Sequence, residues 1–534
     1  MQRQYDFIVV GGGSAGCVLA NRLSACGRFQ VLLVEAGGKD SNPMIHLPLG
    51  FTQAMSIPSL GWGYSTQPEA QLDNRRISWP RGKVLGGCSA INGMIYIRGQ
   101  KEDFDRWSEP CEGWSYDEVL PYFKVSERNS RGRDAYHGTD GELSVRGGTF
   151  HHPLTELYCQ SAMKAGLTEN LDFNGEAQEG IGYGQFNIDE KGRRASCSRS
   201  FLTPALSRKN LTVLTRVQVE ALEIKGHEVQ GVRCTRKGQT LNFSASKEVI
   251  LSAGSINSPQ ILQLSGIGPE AVLKKAGVSV KHALKGVGQN LQDHLTVDVV
   301  TDVGAIGTAN DNLKPLNFIR ELFRYVTKRQ GFLSMAAAHS LAFVKSTPDQ
   351  LRPDLQIHFA PASGTTNAKG QVVPSKTPAI TSTACQLRPE SRGSVNIING
   401  DPLNHPEIRA NYLSTEHDRK TMIEAVKWQR KIFAQQPVAE HITRESLPGR
   451  HVQSDDEILD YIRTHAISVY HPVGTCKMGK DPDAVVSSKL KVHGVSKLRV
   501  ADASVMPTLI SGNTNAACVM IAERAAEWAL KDAS

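Results

Sequence analysis

The stretch Gly11-Gly-Gly-Ser-Ala-Gly16 constrains this chain more than any other feature of its sequence. It follows the apolar run of residues 5–10, which reads as a strand buried on both faces. Residues 17–23 read as a helix with small and apolar residues inward, and residues 30–34 as a second buried strand ending at Glu35. Gly11, Gly13 and Gly16 permit a tight strand-to-helix turn and let backbone amides approach a pyrophosphate, while the helix N-terminus adds partial positive charge. Glu35, nineteen residues beyond Gly16, can accept hydrogen bonds from ribose hydroxyls. Together these features predict a dinucleotide site, with Ser14, Ala15 and Ala36 among its contacts. The fingerprint by itself leaves FAD and NAD equally open.

A chain of 534 residues exceeds what one core sustains, so two packed domains are expected. Its net charge of +8 comes from 61 basic and 53 acidic residues with no block of five or six like charges, which gives nucleic-acid binding little support. The ten cysteines form no CxxC, so free thiols and a reducing compartment are expected. Residues 1–5 run straight into a strand, and the sequence holds neither a signal-peptide core nor an apolar run of 18 residues. The expectation is a cytoplasmic protein, with peripheral association at the inner membrane face left open. His, Cys and acidic residues show no metal-ligand spacing, so no metal is expected. The sequence is silent on oligomeric state.

Residues 36–100 are rich in Gly, Pro and aromatics with little periodicity, as functional loops are. Residues 211–215, 248–251, 354–359 and 393–397 read as strands, the last two in a second sheet. Helices are expected over 258–264, with Pro259 near its start, and over 318–327, 421–433 and 514–530. Residues 300–345 otherwise lose strand signals.

Further blocks narrow the reading. They are Gly82-Lys-Val-Leu-Gly-Gly-Cys-Ser-Ala-Ile-Asn92 and Gly254-Ser-Ile-Asn-Ser-Pro-Gln-Ile-Leu-Gln-Leu-Ser-Gly-Ile-Gly268. Gly286-Val-Gly-Gln-Asn-Leu-Gln-Asp-His294, Leu387-Arg-Pro-Glu-Ser-Arg-Gly393, Tyr470-His-Pro-Val-Gly-Thr-Cys-Lys-Met-Gly479 and Ser511-Gly-Asn-Thr-Asn-Ala516 follow. In this order they span nearly the whole chain, which resembles the glucose–methanol–choline (GMC) oxidoreductase family in its choline-dehydrogenase-like branch of alcohol dehydrogenases. The resemblance implies an α/β fold: a Rossmann-like FAD-binding domain interleaved with an α+β substrate-binding domain of antiparallel sheet plus helices. The expected FAD-binding domain is discontinuous, over 1–150, 190–300 and 465–534. The substrate-binding domain takes 151–189 and 301–464.

The resemblance also implies contacts to FAD from Gly86, Ser89, Asn92, Gly93, Met94 and Ile95, where a flat ring must lie against backbone. Trp62, Val219, Asp502 and Asn515 are further candidates. Ile91 stands where some members carry a histidine bonded to the flavin, so non-covalent FAD is expected.

Two residues carry the expected chemistry, FAD-dependent oxidation of an alcohol to an aldehyde or ketone by hydride transfer to flavin N5. His471 is the expected base, because an imidazole titrates near working pH. Asn513 is expected to donate to the substrate oxygen and stabilise the developing alkoxide. The terminal helix would point its N-terminus at the flavin. His294 and His465 read as structural. In choline-oxidising relatives a glutamate faces the cation; the block Ala-His-Ser-Leu-Ala-Phe343 places His339 there, which argues for a neutral alcohol. Ala517-Cys518 replaces the usual Pro-Thr pair. A quinone-like acceptor is expected. An oxidase using O2, a choline dehydrogenase and an FAD-containing lyase are the alternatives.

Overall fold

Buried β-branched and apolar side chains place strand β1 (Arg3–Val10) in the middle of a parallel sheet. The computed structural model describes residues 3–366 and 372–534; Met1 and Gln2 of the expected leaderless start lie outside them. After β1 the chain turns into helix α1 (Ser14–Ser24) and returns as strand β2 (Val31–Glu35). β1 pairs in parallel with β2 on one side and with Gln239–Leu251 on the other. Leu211–Thr215 extends the sheet beyond β2, and Leu498–Val500 joins at Gln239–Leu251. The far end of that long strand continues antiparallel into Glu228–Arg236 and Gln218–Lys225. Strands drawn from both ends of the sequence thus form one sheet.

Three helices shape the cleft and the surface beside it. Helix α2 (Gly254–Leu264) follows the long strand, α3 (Pro315–Lys328) lies at the surface, and α4 (Asn515–Ala533) packs against α1. α2 begins four residues before the expected start, so Pro259 sits in its interior. Proline there frees the carbonyl of Ser255. The Thr475 hydroxyl donates to that oxygen at 2.6 Å, which satisfies the freed acceptor and lets the helix start ahead of the proline.

The second large sheet is antiparallel, in the order Ile442–Leu447, Leu295–Val303, Ala379–Gln386, Leu355–Ala360, Ser340–Val344 and Gly180–Tyr183. Alternation divides its faces. Leu295, Val297, Ile357, Phe359, Ile380 and Ala384 pack with Met422, Val426 and Ile432 of the helix Glu416–Phe433. Thr296, His358 and Thr383 point to the opposite face, towards the parallel-sheet half.

Three expectations need correction. Ser340–Val344 is a strand, although residues 300–345 carry no strand signal in the sequence; it is buried on both faces, so it shows no alternation. Ser394–Asn396 pairs with Glu407–Arg409 in a separate two-stranded ribbon, not in the second sheet. Leu295–Val303 belongs wholly to the antiparallel sheet and crosses the border expected at residue 300.

Candidate active site

One continuous cleft runs between the two sheets. At one end it is lined by Gly11, Gly13, Ser14, Ala15, Glu35, Ala36 and Val219, and at the other by His471, Asn513 and His358. Gly11 has φ +100°, and a Cβ there would meet the Ser252 carbonyl at 2.7 Å. A Cβ on Gly16 would come within 1.8 Å of the Gly11 oxygen, so this glycine closes the turn from behind without lining the cleft. The Glu35 carboxylate accepts from the amides of Gly12 at 2.7 Å and Gly37 at 2.6 Å, which locks the turn onto β2. Burial pushes its pKa up to about 7. Ser14 Oγ donates to Asn515 Oδ1 at 2.7 Å, joining the N-termini of α1 and α4 at the cleft. Two helix N-termini, a glycine cradle and a carboxylate at the end of β2 fit a dinucleotide.

The middle of the cleft is lined by Trp62, Asn92, Gly93, Met94, Ile95, Ile91 and Asp502. Asp502 accepts from Gly254 N, Ser258 Oγ and Ser504 N, so it holds the start of α2 in place. Trp62 stacks on Tyr64, and Lys83 Nζ lies 4.3 Å from the indole centroid. Gly86 and Ser89 stand behind the wall: Gly86 N donates to Gly12 O at 2.7 Å, and Ser89 Oγ ties Gly86 to Cys197. Gly87 and Cys88 line the cleft in their place.

At the far end, Asn513 Nδ2 lies 3.2 Å from His471 Nε2. Gln356 Nε2 donates to Asn513 Oδ1 at 3.1 Å, which orients the amide so that its N–H side faces His471. His471 Nδ1 lies 3.0 Å from His294 Nδ1, and His294 Nε2 lies 3.0 Å from the Leu387 carbonyl. A carbonyl only accepts, so His294 Nε2 carries its proton. Burial drives the His294 pKa down to about 4 and keeps the ring neutral, leaving Nδ1 as a lone pair. His471 Nδ1 must then be the donor, and its Nε2 lone pair faces Asn513 and the cleft. Burial, with His294, His358 and Arg81 adding to it, lowers the His471 pKa well below 6.5. The backbone is fixed as well: Asp293 Oδ1 accepts from His471 N at 2.7 Å, while Tyr412 and Ser468 hydroxyls bond to Oδ2. Tyr470, just before His471, is held at φ 67° with its carbonyl bonded by Arg81.

Residues 5–296 match the GMC oxidoreductase N-terminal family model and residues 389–522 the C-terminal one. The chain belongs to the GMC oxidoreductase family. It is 44% identical over 531 residues to an alcohol dehydrogenase [acceptor] of Pseudomonas putida, covering 98% of this chain and 95% of that protein. It is 41% identical over 537 residues to an oxygen-dependent choline dehydrogenase of Photobacterium profundum, covering 99% and 93%. Among solved structures, an FAD-dependent oxidoreductase from Chaetomium thermophilum superposes with a TM-score of 0.90 at 27% identity, covering 99% of both chains. The expected α/β fold, the oxidoreductase class and FAD as the family's cofactor therefore hold for this chain.

In this GMC oxidoreductase His339 does not reach the cleft, contrary to the alignment with the cation site. Its Nδ1 lies 3.1 Å from Thr155 Oγ1 and its ring packs on Phe150, while Ala337 and Ala338 line the wall. His358 lines the cleft instead, and sequence reasoning passed over it. Its Nε2 has no hydrogen-bond partner among the described residues, and burial lowers its pKa to about 4. His294, expected to be structural, touches the candidate base directly. The signal was present in the pair Asp293-His294, but only the fold shows that both residues serve His471. His465 does stay apart, stacked on Tyr461. Cys518, at the altered Ala-Cys pair, is part of the lining.

Proposed function

We propose that this GMC oxidoreductase oxidises the hydroxyl-bearing carbon of a small neutral alcohol to an aldehyde or ketone, with FAD held non-covalently in the cleft. The observation that carries this reading is the placement of His471 Nε2 at the cleft, 3.2 Å from Asn513 Nδ2, with Nδ1 held by His294. FAD, when bound, supplies the two-electron acceptor. Gly11, Gly13, Ser14 and Ala15 would hold its pyrophosphate, Glu35, Ala36 and Val219 its adenosine, and Asn92–Ile95, Asp502 and Asn515 its flavin half.

The substrate hydroxyl is placed between His471 Nε2 and Asn513 Nδ2. His471 takes the hydroxyl proton at Nε2, and His294 accepts from the Nδ1–H throughout. Asn513 donates to the oxygen as charge develops on it. Because burial disfavours a protonated His471, proton removal is coupled to loss of the carbon-bound hydrogen rather than preceding it.

The choline reading of the relatives has little support at this end. Among the described residues the acidic lining is Glu35 and Asp502, the first at the adenosine end and the second committed to three donors. Thr296, His358 and Thr383 suit a neutral polar group. A quinone-like or other non-NAD acceptor is part of the proposal, as is a cytoplasmic location with peripheral contact at the inner membrane face. The domain division of 1–150, 190–300 and 465–534 against 151–189 and 301–464 is proposed with its border at 300 moved to about 294, where the antiparallel strand starts.

Anaerobic mixing of the yellow holoprotein with aliphatic, aryl and polyol alcohols, and with choline, tests the function. Bleaching at 450 nm by a neutral alcohol is expected; bleaching by choline alone would reject it. Acid precipitation is expected to release the colour into the supernatant, and colour retained in the pellet would reject non-covalent FAD.

A further inference from the structure

Helix α3 (Pro315–Lys328) turns its apolar side the wrong way for a soluble surface helix. Of its 14 residues only Glu321 and Tyr325 are buried. Leu316, Ile319, Leu322, Phe323 and Val326 are 84%, 64%, 44%, 71% and 57% exposed. At 100° per residue these five fall within roughly a third of the helix circumference. Polar seams hold the inward side: Glu321 Oε2 accepts from Phe332 N at 2.8 Å, and Tyr325 OH donates to Gly192 O at 3.0 Å. The outward stripe therefore belongs to the folded state and is not a product of a loose helix.

Charge identifies the partner. Arg320, Lys328 and Arg329 are exposed with no ion pair among the described residues, Arg324 is exposed 3.8 Å from the buried Glu321, and Lys314 at the helix start pairs with Asp311 at 2.6 Å. We propose that α3 docks this protein on an anionic lipid bilayer, its apolar arc at the boundary of headgroups and acyl chains and its cations against lipid phosphates. A second copy is the poorer occupant, because a two-fold contact through α3 would bring Arg320, Arg324, Lys328 and Arg329 against their own images. The helix is too short to span, and among the described residues no helix is long and apolar enough to cross a membrane. From α3 the chain passes through Phe332–Ser334 directly to Ala337 and Ala338 in the cleft wall. Docking would thus bring the substrate end of the cleft close to the lipid surface, whatever alcohol it accepts.

Full-length FAD-loaded protein is sedimented with vesicles of phosphatidylglycerol and phosphatidylcholine, and with phosphatidylcholine alone. Binding to the anionic vesicles that weakens with salt is expected. Replacing Ile319→Ser and Phe323→Ser together is expected to lower the partition coefficient by about 10-fold or more. Arg320→Gln with Arg324→Gln should remove the preference for anionic lipid. All four side chains are exposed, so circular dichroism and dye-linked turnover in solution are expected to stay unchanged. Wild-type protein that remains in the supernatant, or a serine variant that sediments equally well, would overturn the proposal. So would a wild-type dimer that the serine variant loses while neither form sediments; that result would assign the face to a second copy.

Discussion

His471 Nδ1 lies 3.0 Å from His294 Nδ1, with the two rings at 85° to each other. Only one of these nitrogens can carry the shared proton, and the Leu387 carbonyl decides that it is His471's. His294 thereby sets the tautomer of His471 and is a positioning residue for the proposed base. His294→Leu removes the acceptor and is expected to slow flavin reduction by at least about 10-fold, as when a tautomer-fixing partner is lost. His294→Gln, whose amide oxygen can accept the same proton, should recover most of the rate. Equal losses in both variants, with an unchanged pH profile, would mean that His294 only fills space.

His471→Ala removes the group proposed to take the hydroxyl proton. Flavin reduction by alcohol is expected to fall by about 100-fold or more, typical of losing a general base. The 450 nm absorbance of the purified variant should persist, because the cradle at Gly11, Gly13 and Glu35 lies at the other end of the cleft. A variant that reduces at the wild-type rate would remove His471 from the mechanism.

Asn513→Ala deletes the proposed donor to the developing alkoxide. The expected effect is a loss of about 100-fold in kcat with little change in KM, since the bond strengthens as charge forms. A rise in KM at constant kcat would instead make Asn513 a ground-state binding residue.

The pH dependence follows from the direction of the His471 shift. Burial, with His294, His358 and Arg81 nearby, lowers its proton affinity below the ordinary 6.5. A depressed pKa leaves the base unprotonated until the pH falls through that lower value, so the rate is retained above it and lost only below. The acid limb of kcat/KM is therefore expected under pH 6.5, with a flat profile from there to neutrality. An acid limb centred at pH 7 or above would contradict a buried neutral base.

Gly16→Ala introduces a Cβ whose position falls 1.8 Å from the Gly11 carbonyl oxygen. Backbone must move at the turn, at a cost of about 1–3 kcal/mol or more. Purified variant protein is expected to lack bound FAD, read as the ratio of absorbance at 450 nm to that at 280 nm. Full occupancy would show that the turn tolerates a side chain.

Local signals are legible where side-chain pattern and backbone demand coincide. β1, α1 and β2 appear within about three residues of their expected bounds, because a buried apolar run, a glycine turn and a terminal acid each have a local cause. Leu211–Thr215 matches its expected range for the same reason. The helix start at Gly254 was missed because the compensation for Pro259 comes from Thr475, more than two hundred residues away. Ser340–Val344 was missed because a strand buried on both faces shows no period.

By itself the sequence determined the family, the dinucleotide turn and the identity of the two residues now proposed to act on substrate, since each of these rests on residues adjacent in the chain. Tertiary structure alone decided what surrounds them. It brought Asp293 and His294 to the base, carried His358 into the cleft and His339 out of it, and left the apolar side of α3 facing outward. The physical reason is that hydrogen-bond direction, burial and exposure depend on what packs across a sheet or a cleft. A linear pattern records which side chains are available, and only the fold fixes which of them meet.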